Sequence, residues 1–215
     1  MKHKTRTHLA IACGFLAAFA LWTAAVGFVD VQPIGPLGSC VGFASVNRFF
    51  HGLTGVHMAL YILTDWLSLI PVGLGFGFAF LGLFQWIKRK SLLKVDRSIL
   101  VLGGFYLAVL AAYVLFECFP VNYRPILING VPEVSYPSST TLLVMCMLPT
   151  ALLQLKARIR HPLLRKFVAG AITAFTVFMV VGRLVSGVHW LSDIIGGALL
   201  SSGLVMLYVS AVPHK

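Results

Sequence analysis

Charge is scarce in this sequence. Only 11% of its 215 residues are Asp, Glu, Lys or Arg, where a soluble domain carries about 25%, and that shortage argues against a water-soluble globular protein. Cysteine is scarce as well. The four present are too few and too scattered for a disulfide framework or a zinc site. Cys13 and Cys146 sit inside apolar runs and read as small apolar side chains, whereas Cys40 and Cys118 map to one side of the topology below, where a disulfide could join them. There is no series of alternating ten-residue segments, so a transmembrane barrel is excluded. Internal repeats, low-complexity tracts and charged linkers are absent too, and residues 1–215 read as a single membrane domain.

Apolar residues make up the balance, at 59% with a mean hydropathy of +0.92. A bilayer-spanning helix needs about 20 mostly apolar residues. Runs that qualify are 8–29, 67–87, 98–119, 139–155, 163–183 and 190–212, the fourth being short. The expected fold is all-α, a polytopic bundle of about six spans. Residues 30–66 form an outer loop in which 53–66 are apolar enough for an interfacial or partly inserted helix, leaving five to seven spans open. Trp22, Trp66, Trp86 and Trp190 fall near span ends, as an aromatic belt would.

The net charge of +11 is unevenly placed. Lys2, Lys4 and Arg6 precede the first span. Lys88, Arg89, Lys90, Lys94 and Arg97 lie between the second and third, and Lys156, Arg158, Arg160, Arg165 and Lys166 between the fourth and fifth. With Lys215, 14 of 17 basic residues share one side, leaving Arg48, Arg124 and Arg183 on the other. The positive-inside rule makes the rich side cytoplasmic, with both termini there, and removes the reason to expect nucleic acid as a partner. The basic start and apolar run resemble a secretory signal, but 30–33 (DVQP) is a poor cleavage site, so a retained anchor is expected.

Ionisable groups at membrane depth are costly and mark function. Three clusters fall at the outer ends of different spans. One is Tyr123–Arg124–Pro125. Another is Tyr136–Pro137–Ser138–Ser139–Thr140–Thr141, where serines can cap a helix start that also attracts anions. The third runs from Gly182 and Arg183 to His189 and Asp193. Four residues apart on a helix, His189 and Asp193 share a face, and an aspartate beside an imidazole fixes its tautomer and stabilises its positive charge. Two guanidinium groups, a capped helix start and an oriented histidine suit a phosphate ester. Bland uses exist for each part: Arg183 could snorkel, the His–Asp pair could be structural, and the serines could simply cap.

These residues resemble the motifs of the type 2 phosphatidic acid phosphatase superfamily, which also contains vanadium haloperoxidases. Its third motif, Ser-Arg-x5-His-x3-Asp, is matched by Arg183, His189 and Asp193 with both spacings kept, Gly182 standing where the motif has serine, a minor departure. Its second, Pro-Ser-Gly-His, is matched by Pro137–Ser138–Ser139–Thr140, and its first, Lys-x6-Arg-Pro, by Arg124–Pro125. The resemblance covers about 67–215, a phosphatase-like core. It implies six spans in the plasma membrane, a site on the outer face, a lipid phosphate or diphosphate substrate, and hydrolysis without metal or cofactor. Arg124, Ser138, Ser139 and Arg183 would hold the phosphate, His189 would become phosphorylated, and Asp193 would orient it.

Glu117 stands where the motif has lysine, and Thr140 where it has the histidine that protonates the leaving group. Loss of a general acid costs about 10²–10⁴-fold in rate, least where the leaving group is itself acidic. A preference for lipid diphosphates is therefore expected. Glu117 could be a surrogate acid or a lost phosphate contact, and His51 and His57 are the other histidines able to replace the acid. A catalytically weak protein that binds or transfers a lipid phosphate is the alternative. A transporter is disfavoured by the lack of mid-span charge and of paired broken helices.

Overall fold

The computed structural model describes residues 2–212, with side chains from Lys4 onward; Lys215, counted above with the basic side, lies outside the described residues. Eight α-helices follow in order: α1 (Lys2–Phe28), α2 (Ala44–Thr54), α3 (Met58–Leu67), α4 (Leu69–Arg89), α5 (Arg97–Cys118), α6 (Ser139–Lys156), α7 (Pro162–Val185) and α8 (Leu191–Ala211). Short 3₁₀ turns occupy Pro36–Gly38 and Leu92–Lys94. Six helical segments are long and apolar enough to cross a bilayer, with α3 and α4 counted as one. The chain is a multi-pass membrane helix bundle.

The second span begins earlier than its hydropathy suggested. The expected span 67–87 is preceded by a further helix, because Ser68 keeps right-handed helical angles and its N–H reaches the carbonyls of Thr64 and Asp65. Met58–Arg89 thus runs as one apolar segment with a break at Ser68. Of the outer loop expected over 30–66, only α2 and the irregular segments on either side of it remain outside the spans. Cys40 and Cys118 are free thiols, not joined to each other.

At the centre of the bundle is α6, packed against α4, α5, α7 and α8. Its position accounts for its lower hydropathy. A helix surrounded by protein can carry polar groups if each finds a partner. Thr150 Oγ1 donates to the Cys146 carbonyl at 2.7 Å, and Gln154 Nε2 donates to the Ser98 carbonyl at 3.1 Å. Apolar contact fills the rest: Leu142, Cys146 and Ala151 of α6 meet Leu102 and Phe105 of α5 and Leu200 of α8, and Val144 and Leu148 meet Met179 of α7.

On the outside of this core α1 lies along α8. Two hydrogen bonds fix its C-terminal half: Trp22 Nε1 donates to the Ser192 carbonyl at 3.1 Å, and Thr23 Oγ1 pairs with Tyr136 Oη at 2.7 Å. The spans alternate in direction, so the ends of α1, α5 and α7 and the starts of α3, α6 and α8 gather at one end of the bundle. The clusters of Lys and Arg gather at the opposite end, where Arg89 pairs with Asp96 at 3.0 Å and Gln85 closes the α4–α5 connection on the same carboxylate.

The segment leading into α2 passes very close to α1. A Cβ on Gly42 would stand 1.8 Å from the carbonyl oxygen of Val26, and backbone cannot yield as a side-chain end can. Gly42→Ala is expected to destabilise the protein by roughly 1–3 kcal/mol, read as a lower melting temperature in detergent; an unchanged melt would show that this contact opens freely.

Candidate active site

Arg124 is delivered by a small hairpin between α5 and α6. Tyr123 bridges Val134, and Ile128 bridges Val131 across Asn129 and Gly130, both at positive φ. That turn requires left-handed angles at two successive positions, which Asn-Gly meets at low cost. The hairpin is anchored from below. Trp190 Nε1 donates to the Tyr123 carbonyl at 2.8 Å, and Asn122 Nδ2 donates to Asp193 Oδ1 at 3.1 Å.

The loop between α7 and α8 carries the histidine. Gly187 makes its turn at φ +66°, and a Cβ there would meet the Gly55 carbonyl oxygen at 1.7 Å. The loop is thereby pressed against the α2–α3 connection, where His57 N–H donates to the Ser186 carbonyl at 2.9 Å. Asp193 is wholly buried. Its Oδ2 accepts from the Trp190 N–H at 3.0 Å and stands 3.7 Å from His189 Nδ1, too far for a hydrogen bond but close enough for attraction to a charged ring.

On the other side of the imidazole, His189 Nε2 is 3.1 Å from Arg124 Nη1. A guanidinium only donates, so Nε2 accepts and the ring proton belongs on Nδ1, toward Asp193. Burial pushes the His189 pKa down to about 4; the Asp193 interaction opposes this, and the Arg124 charge adds to it. The ring is therefore neutral at pH 7, with its basic nitrogen directed at Arg124.

Arg183 is 1% exposed and fully engaged at its terminal nitrogens. Nη1 donates to the Tyr61 carbonyl at 3.2 Å and faces Thr64 Oγ1 at 3.4 Å. Nη2 donates to Asp65 Oδ1 at 3.0 Å and to Thr140 Oγ1 at 2.5 Å. Arg124 in turn has Nε 3.0 Å from Glu133 Oε2. Both guanidinium carbons stand over the Tyr61 ring, 5.5 Å from its centre for Arg124 and 4.7 Å for Arg183, distances at which a ring face attracts cations.

A cavity of about 790 Å³ opens between α4, α5 and α6. Its head is polar, formed by Asp65, Arg124, Ser139, Thr140 and Arg183. Below that the walls are apolar, with Val72 and Phe76 of α4, Leu107 and Leu110 of α5, and Leu143 and Met147 of α6. A charged head above an apolar slot of this size matches an amphiphile.

Of the residues expected from sequence, Arg124, Thr140, Arg183, His189 and Asp193 come together, and Ser139 joins them at the cavity wall. Ser138 is fully buried and serves as the α6 N-cap, with Oγ accepting from Thr141 Oγ1 at 3.1 Å and facing Thr141 N at 3.4 Å. Glu117 is not brought in. It lies on the exposed last turn of α5, in a small crevice with Tyr113, Tyr136 and Ser139. His51 packs its ring 5.5 Å from Trp190, and His57 is exposed. Among the described residues no group of three or more His, Cys, Asp or Glu is placed to hold a metal ion. Tyr61, Asp65, Asn122 and Glu133 were not singled out by motif. For Asp65 the available signal was its charge within an apolar stretch.

No curated protein sequence matches this one. Among solved structures, the crystal structure of a transmembrane PAP2-type phosphatidylglycerolphosphate phosphatase from Bacillus subtilis is similar in fold, with a TM-score of 0.54 and 20% identity over 93% of this chain and 94% of that one. Residues 119–215 match the model of the PAP2 superfamily. That stretch holds Arg124, Ser138, Ser139, Thr140, Arg183, His189 and Asp193, so the C-terminal part of the chain is similar in sequence to the PAP2 superfamily and the whole is similar in fold to one of its solved structures.

Proposed function

We propose that this protein is a lipid phosphatase that hydrolyses a phosphate ester or diphosphate lipid at the outer face of the membrane, through a phospho-His189 intermediate. The family supports a phosphatase of lipid phosphates in general terms. The observation that carries the finer reading is the placement of two buried arginines at the head of an apolar cavity, one of them bonded to a neutral, Asp-backed histidine. The outer-face placement rests on charge: the site end of the bundle is poor in Lys and Arg, and the opposite end holds nearly all of them.

In this reading the substrate phosphate enters between Arg124 and Arg183 and takes over hydrogen bonds now made to His189, Asp65 and Thr140. The Nε2 lone pair, released from Arg124, attacks phosphorus. The imidazole becomes cationic with its proton on Nδ1, and the nearby Asp193 carboxylate stabilises that charge. Water then displaces the histidine. Ser139, at the cavity wall, adds a hydroxyl to the phosphate cradle. A binding or phosphotransfer role without fast hydrolysis is the second reading, favoured by Thr140 where the motif has its acid.

Phosphate release by the purified protein in detergent, from a polyprenyl diphosphate, phosphatidylglycerol phosphate and phosphatidic acid, tests the assignment. His189→Ala is expected to lower release by roughly 10³-fold or more, the scale of losing a covalent nucleophile. No release above that variant from any of these lipids would leave the binding role. The acid side of the kcat/KM profile provides a second test. Burial disfavours the imidazolium, so His189 stays neutral as pH falls from 7 and is lost as nucleophile only near its pKa of about 4. A diphosphate substrate should therefore show no His189-dependent decline around pH 6.5, the ordinary imidazole value. A decline centred there would contradict the buried state of the ring.

The slot can be tested independently. Gly103 lines it, and a Cβ there meets nothing within 4 Å, so a side chain can start from this position, and Gly103→Leu is the variant that narrows the slot. Turnover of long-chain lipids should drop about tenfold or more while a short water-soluble phosphate ester is spared. Equal effects on both would remove the slot from substrate binding.

A further inference from the structure

We propose that Asp65 is the acid that protonates the leaving group, in place of the histidine that position 140 lacks; this rests on the phosphatase reading above. The argument begins with Arg183 Nη2, which donates to Asp65 Oδ1 and to Thr140 Oγ1 together. Two acceptors on one nitrogen are neighbours, so the Asp65 carboxylate lies beside the end of residue 140, where the motif's acid would act.

No other described carboxyl group has this position. Asp65 lines the same cavity head as Arg124, Ser139, Thr140 and Arg183, and its side chain is 58% exposed there. Asp193 is sealed behind His189 with no exposure, Glu133 pairs with Arg124 outside the cavity lining, and Glu117 lines an adjoining crevice, on the far side of Tyr113 and Ser139, rather than the cavity itself. Neither His51 nor His57 lines the cavity. Asp65 belongs to α3, ahead of the residues 119–215 that match the family, so the motif pattern does not account for it.

Substrate binding gives the carboxyl group its proton. A phosphate that occupies Arg183 Nη2 separates Asp65 from its cation and places two anions side by side. Such a pair is most stable when it shares a proton. As His189 Nε2 bonds to phosphorus, the bond from phosphorus to the ester oxygen breaks, and that oxygen takes the Asp65 proton and leaves as the alcohol. In the second half a water oxygen bonds to phosphorus, its proton passes to the Asp65 carboxylate, and the phosphorus–nitrogen bond breaks. Neutral His189 and inorganic phosphate result. The preference for diphosphates expected from Thr140 would then describe a variant lacking Asp65 rather than the protein itself.

The test is a ratio of two turnovers by the full-length protein in detergent. Phosphatidic acid expels an alkoxide that needs a proton, whereas 4-nitrophenyl phosphate expels a stable phenolate that does not. Asp65→Asn is expected to lower turnover of phosphatidic acid about 10²–10⁴-fold and of the aryl phosphate less than about tenfold, both measured against His189→Ala. The ratio does not depend on how much of the variant folds, and Asp65→Ser, read the same way, should behave alike. Equal losses on the two substrates in both variants would overturn the proposal and leave Asp65 as a positioning residue for Arg183. If the unaltered protein shows no His189-dependent turnover of either substrate, the phosphatase reading itself falls and this inference falls with it.

Discussion

Two guanidinium groups are buried near one end of a membrane bundle, and much of the surrounding architecture serves to make that tolerable. An unpaired buried charge costs several kcal/mol, and an arginine cannot shed its proton to escape. Arg183 is therefore surrounded by the Tyr61 carbonyl, Thr64, Asp65 and Thr140, and Arg124 by Glu133 and His189. The Tyr61 ring attracts both cations. These partners come from α3, α6, the hairpin and the α7–α8 loop. The arginines thus hold the site end of the bundle together. A phosphate can replace carboxylate and hydroxyl acceptors without leaving either cation alone.

Much of this was legible in the residues. Hydropathy located the six spans because lipid-facing helices must be apolar, and His189 and Asp193 do approach each other, although not as neighbours on one helix face: His189 precedes the Trp190 N-cap and Asp193 lies in the first turn of α8. The meeting of Arg124, Thr140 and Arg183 could be anticipated from motif order because all three stand near span ends. The misjudged parts depend on packing. The early start of the second span turned on Ser68 continuing helical geometry, which joins the stretch expected as an interfacial or partly inserted helix to the span itself. Ser138, expected at the phosphate, caps α6, and Glu117, considered as an acid, lines a crevice beside the cavity rather than the cavity itself. Asp65 and Arg183 are 118 positions apart, and no spacing rule connects residues at that distance. The Asn129–Gly130 pair was a local hairpin signal and could have indicated how Arg124 is presented.

Thr140 illustrates how a substitution at one motif position changes the meaning of its neighbours. A histidine there would present a titratable ring to the substrate. Threonine presents a neutral hydroxyl that accepts from Arg183, so the arginine gains a ligand while the site loses a proton donor. The nearest titratable group in the cavity is then the carboxylate bonded to the same guanidinium nitrogen. Position 140 and α3 have to be considered together, although only the first belongs to the matched stretch of the family.

The pairing of α1 with α8 has a consequence for biogenesis. Trp22 and Ser192 are 170 positions apart, and Ser192 directly precedes the aspartate that backs His189. As the chain is made from its N-terminus, α1 enters the bilayer long before α8 exists and must wait with its partner face against lipid. The contacts that fix the start of α8 become available only after that last span has been inserted. A chain that still lacks α8 therefore carries both arginines but not Asp193, and the His–Asp pair is assembled last.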